Sequence, residues 1–202
     1  MRPYLKKPSD ATLDDVLTQA GRSGFTYRET GMTDGPAPGG YIVDRTTTVV
    51  GHGDDAFAAA REGLKTWQHF RFGWITPWPG DTPLKPGADV VVLARVSFVY
   101  LFNACRVVYA FDEPGPTPRF GFAYGTLAPH AESGEERFEV RHETDGSVVY
   151  EITAYSRPGN WLTRLGYPVA RVLQRRFARD STAAMAAYVA AEVDMALSGL
   201  ST

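Results

Sequence analysis

The order of apolar and polar positions divides the chain into elements before any composition is counted. Residues 41–50 (YIVDRTTTVV) are rich in β-branched side chains, which suit a pleated strand better than a helix, so a strand is expected there. Gly51-His52-Gly53 interrupts it, and Asp54 and Asp55 then stand where negative charge favours a helix start. Phe57, Ala60, Leu64 and Trp67 follow at helical spacing, with Arg61, Glu62, Lys65 and Gln68 on the opposite side, which predicts a helix with one buried face. After His69 the spacing changes to two: Phe70, Phe72, Trp74 and Trp78 form an expected aromatic wall.

Strand-like runs then succeed one another over 88–96, 98–111, 119–127, 136–143 and 147–155, the last two joined by the hairpin dipeptide Asp145-Gly146. With short links and no intervening helix, they predict an antiparallel sheet rather than βαβ units. Arg157-Pro158-Gly159 ends the sheet, Asn160 is a candidate cap, and Pro168 suits the first turn of a long helix ending near Gly199. Val169, Val172, Leu173, Phe177, Ala184, Tyr188 and Ala191 mark its apolar side, and Arg164, Arg171, Arg175 and Arg179 another. Its second half has only Glu192 and Asp194 as charges, so a second cover is expected there, either the N-terminal segment or a second subunit in a homodimer. At the other end, Leu13, Val16, Leu17 and Ala20 behind Ser9, Asp10 and Thr12 predict a short helix, and the Gly- and Pro-rich 31–40 predicts a loop. The chain thus reads as 1–38, an N-terminal helix and linker packing on the domain, and 39–202, the domain itself.

Composition narrows the functional classes. The chain has 202 residues, 44% apolar and 12% aromatic, enough for one core. A formal charge of −2 gives no global reason to expect nucleic acid. The longest apolar stretch, 90–102, is broken by Arg95 and Ser97 and too short for a membrane-spanning helix. A single cysteine, and no basic-then-apolar leader ahead of Ser9, make the cytoplasm the expected compartment.

Few motifs carry chemistry. Gly51-His52-Gly53 lacks the rest of a phosphate-binding loop and reads as a strand-to-helix turn. In NACRVVY, alternation puts Asn103, Cys105, Val107 and Tyr109 on one face and Arg106 on the other. Cys105 reads as a small buried hydrophobe rather than a nucleophile, whereas Arg106 among apolar neighbours needs a carboxylate or a ligand anion if buried. His130, Glu132, Glu135 and Glu136 fall within seven residues, a polar loop or an acid/base group. His52, His69, His130 and His142 are not at metal-ligand spacing, so neither metal nor cofactor is expected. The arginines over 157–179 form the one basic concentration, read as a solvated face before a phosphate or membrane grip.

Four stretches, GHGDDAFAAAREGLKTW, NACRVVYAFDE, FGFAYGTLAPHAESGEERFEV and ITAYSRPGNWLTRLGYPVARVLQ, taken in this order, resemble a bacterial and plant family, uncharacterised protein family 0548. The resemblance implies a START-like and birch-allergen-like helix-grip fold: an α+β arrangement in which a curved antiparallel sheet grips a long C-terminal helix. It brings no activity and no established catalytic residues. By fold analogy it implies a cavity that binds a small apolar or aromatic molecule. Trp67, Trp74, Tyr109, Tyr124 and Trp161 are the expected wall, with Arg106 and His130 orienting a polar end. An enzyme on the same scaffold, using His130 with Glu132 or Glu135 as acid/base groups, is the second expectation. A protein interaction module is the third.

Overall fold

The computed structural model describes residues 4–128, 132–158 and 167–199. Among them seven strands form one antiparallel sheet: β1 (Ile42–His52), β2 (Ile75–Trp78), β3 (Asp89–Val96), β4 (Val99–Glu113), β5 (Arg119–Thr126), β6 (Glu132–His142) and β7 (Ser147–Pro158). The spatial order β1-β7-β6-β5-β4-β3-β2 is a meander from β2 to β7, closed by β1 pairing with β7. Asp145-Gly146 makes the β6–β7 turn as its sequence predicts, with the Ser147 amide donating to Asp145 Oδ1 at 2.9 Å.

Helix α1 (Asp10–Gly21) starts at Ser9, whose hydroxyl accepts from the Thr12 amide, and α2 (Gly53–Lys65) leads directly out of β1 through the Gly51-His52-Gly53 turn. The last element, α3 (Tyr167–Gly199), is a continuous helix of 33 residues, about 50 Å long.

The two faces of the sheet have different tenants. On the inner face, Phe122, Phe138, Val140, Tyr150 and Ile152 pack against α2 through Phe57, Ala60 and Leu64, and against α3 through Phe177, Met185 and Val189. Gly63 is what lets the two helices meet, since a Cβ there would stand 2.9 Å from Met185 Sδ and from the Tyr188 ring. α2 thus meets the second half of α3 at Met185 and Tyr188, while Met195 and Leu197 beyond it stay exposed. The N-terminal segment lies on the other side of the sheet, where Leu13 and Ala20 of α1 pack on Val91, Leu93, Phe102 and Ala104.

Two expectations from alternation fail for a local reason. The aromatic run after His69 is not a strand: Gln68–Phe70 is a short 3-10 turn, and β2 has only four residues. Trp74 thus faces inward while Trp78 joins the outer cluster beside α1. In β4 a bulge between Val107 and Tyr109 shifts the pairing with β5, so Tyr109 emerges on the outer face, opposite to Cys105.

Candidate functional site

Sheet and helix do not meet flush. Over the first turns of α3 described, a cavity of about 320 Å³ remains between the helix and the inner face, within the size range of small-molecule sites. Phe70, Trp74, Tyr124, Ile152, Leu173 and Phe177 supply most of its apolar wall, with Val92, Ala94, Val96 and Leu101 from the β3–β4 hairpin.

Trp74 is held from behind. Trp74 donates its indole N–H to Asp180 Oδ2 at 2.8 Å, and the Arg176 guanidinium lies over its ring, 4.4 Å from the centroid. Burial works against the Asp180 charge, but hydrogen bonds from Trp74, Arg179 and Arg176 prevail and hold its carboxyl below the usual range. At the rim, Asp44 of β1 receives both terminal nitrogens of Arg171, one at 2.7 Å, and Arg171 also donates to Gln174 at 3.0 Å. This pair ties the sheet edge to the helix across the opening.

The polar end of the cavity lies on β4 to β6. Tyr124 Oη donates to Glu136 Oε2 at 2.7 Å across the β5–β6 pair. Burial first, and then the Glu136 charge, push the phenol well above its ordinary pKa, so it remains a neutral donor. Cys105 lines the same region, and burial with the charges of Glu136 and Asp89 keeps it a thiol rather than a thiolate. This makes Cys105 an inert lining group. No histidine is among the described residues that line the cavity.

Of the residues singled out from sequence, Trp74 and Tyr124 come together in the cavity. Trp67 sits behind it, fully buried among Phe70, His69 and Phe122, with its indole N–H on the Thr82 carbonyl at 2.7 Å. Arg106 lies on the outer face, where Asp89, its register partner on β3, takes Nε and Nη2 at 2.6 and 2.9 Å and the Gly21 carbonyl takes Nη2. Its charge is answered by the chain itself. His130, Trp161 and the Glu132 side chain lie outside the described residues. Sequence reading missed Phe177 and the Asp44–Arg171 pair. The helical apolar stripe held the signal for Phe177, but nothing short of the fold brings Asp44 to Arg171.

Glu135 has a different task. Its strand borders the cavity, yet its carboxylate is buried on the outer face beneath the N-terminal segment. It accepts from Tyr27 Oη at 2.8 Å, from the Gly31 and Thr33 amides at 2.8 and 3.0 Å, and from the Thr33 hydroxyl. Thr33 also pairs with Tyr109, whose phenol burial pushes up to about 12. So Glu135 and Tyr109 fasten the segment that crosses the sheet, and neither side chain points into the cavity. Gly125 makes room for this strap, because a Cβ there would stand 1.9 Å from Tyr27 Oη. Gly125→Ala is accordingly expected to expel the Tyr27 ring and cost about 2–3 kcal/mol. Denaturant melts should show the loss, and limited proteolysis should show earlier cleavage within residues 26–34.

A curved antiparallel sheet wrapped on one long C-terminal helix, with a cavity left between them, defines a helix-grip protein. Comparison with known proteins assigns the chain more narrowly. It belongs to the family described as Domain of unknown function (DUF1990), whose model matches residues 26–184. It is similar to UPF0548 proteins of Dictyostelium discoideum (31% identical over 195 residues, 87% of this chain and 90% of that protein) and Deinococcus radiodurans (33% over 187 residues, 87% and 92%). Among solved structures, a hypothetical protein of Helicobacter pylori, jhp0584, shares the fold at a TM-score of 0.50 and 10% identity, covering 82% of this chain and 96% of that one.

Proposed function

We propose that this protein binds a small, largely apolar molecule between its sheet and α3. The observation that carries this reading is the space itself: beside a core packed around Trp67, Phe122 and Phe138, about 320 Å³ stays open and is walled mainly by aromatic and aliphatic side chains. The ligand's apolar body would lie against Trp74, Phe70 and Phe177. Its polar end would meet Tyr124 and Glu136, which takes the orienting role that the sequence suggested for Arg106.

Two measurements test this reading. Purified protein extracted with organic solvent should release a discrete apolar compound by mass spectrometry, and the stripped protein should bind an environment-sensitive dye. Ala154 lines the cavity from β7, so Ala154→Phe fills it and is expected to weaken dye binding at least about ten-fold while the circular dichroism stays unchanged. An empty extract together with dye binding indifferent to Ala154→Phe would refute the proposal.

A further inference from the structure

We propose that the end of the molecule at which the cavity lies docks on an anionic lipid bilayer. Three exposed apolar side chains crown that end. Phe98, 72% exposed, stands at the tip of the β3–β4 hairpin, just after Ser97, which adopts a left-handed φ of 56°. Leu5, 74% exposed, is held beside the same hairpin because Tyr4 and Tyr100 exchange both backbone hydrogen bonds, at 3.0 and 2.8 Å. Val172, 64% exposed, lies on α3. The hairpin is continuous with the cavity, since Val96 and Leu101 on either side of its tip line it.

Positive charge surrounds these side chains, although the chain as a whole carries −2. Residues 171–180 hold four arginines against the single Asp180. Val172, Arg175, Arg176 and Arg179 are all exposed, and their spacing of three, four and seven sets them on one stripe of the helix. Asp180 answers Arg176 and Arg179, and Asp44 answers Arg171. Arg175 at the cavity edge and Arg95, exposed on the outer face of the hairpin three residues before Phe98, have no carboxylate partner among the described residues. Exposed apolar tips ringed by basic residues match a bilayer's acyl boundary and its acidic headgroups. A phosphate backbone would match the charges but leave Phe98 and Leu5 without a purpose. The basic concentration noted in the sequence thereby acquires a role that a merely solvated helix face lacks.

The test is sedimentation of the full chain with vesicles of phosphatidylcholine alone and of phosphatidylcholine with about 30% phosphatidylserine, at about 0.1 M salt. The protein should pellet with the anionic vesicles only. Arg95→Glu combined with Arg175→Glu breaks no ion pair among the described residues and should lower the partition coefficient at least twenty-fold, at roughly five-fold for each basic residue lost from the surface. Phe98→Ser should lower it at least about five-fold with an unchanged melting temperature, because the ring is exposed. Failure of the wild-type protein to bind anionic vesicles overturns the proposal. So does binding indifferent to Phe98→Ser, or binding to a DNA oligomer that competes with the vesicles and ignores that substitution. Dye binding is measured without vesicles, so docking and cavity occupancy stand or fall separately.

Discussion

Replacing Trp67 with alanine is expected to cost about 5 kcal/mol and to lower the melting temperature by roughly 10–20 °C, read by calorimetry or a denaturant titration. The indole is fully buried and meets Phe70, His69 and Phe122 at centroid distances of 5.3, 5.7 and 5.2 Å. Its removal opens a space that these rings cannot collapse into, because each is already engaged elsewhere in the cluster. The buried Thr82 carbonyl also loses its donor. Trp67→Phe keeps most of the ring and should cost roughly half as much. A Trp67→Ala protein that melts within about 2 °C of the wild type would contradict this account of the core. The same experiment separates packing from binding, since Trp67 does not line the cavity whereas Trp74 does.

Acid sensitivity is the second large effect, and it comes from one ring in that cluster. His69 is completely buried between Trp67, Phe70 and Phe138, and neither ring nitrogen has a hydrogen-bond partner of good geometry. Burial pushes its pKa down to about 3, against a weak opposing pull from the Gly63 backbone. The unfolded chain binds a proton at this ring near the ordinary value of about 6.5, while the folded chain does not until about 3. Stability is therefore whole above about pH 6.5 and is lost as the pH falls through the window between those values. At pH 5 the loss is roughly 2 kcal/mol. Urea midpoints of the wild type and of His69→Leu, compared at pH 7 and pH 5, isolate this contribution. The wild type should fall further than the variant, and parallel losses would show that His69 is not the source.

Local chemistry made much of this fold legible. The Ser9 cap, the Asp145-Gly146 turn and the β-branched run of β1 each act over a few residues, and each appears where its residues imply. The long terminal helix was equally plain, because apolar residues recur along it at helical spacing, although Val172 and Ala191 of that set face solvent rather than the core. The cavity was harder to read. Trp74 and Tyr124 line it, but aromatic character alone does not separate a cavity wall from the core that supports it, and Trp67 belongs to the second. Arg106 needed an anion, as its apolar neighbours suggested, but its partner Asp89 is 17 residues away and adjacent only through the β3–β4 register. Glu135 sat among candidate catalytic groups in the sequence, and only the return of the N-terminal segment across the outer face shows it as an anchor.

The irregularity in β4 gives that strand two parities. Up to Cys105 the odd-numbered residues, Leu101, Asn103 and Cys105, look toward the cavity, and their even neighbours Phe102 and Ala104 look toward α1. Past Val107 the assignment inverts: Tyr109 turns to Thr33 on the outside, and Phe111 lies beneath the guanidinium groups of Arg119 and Arg137. A substitution series walked along this one strand would therefore report on the cavity at odd positions in its first half and on attachment of the N-terminal strap at odd positions in its second, with the phase of the readout reversing across Val108.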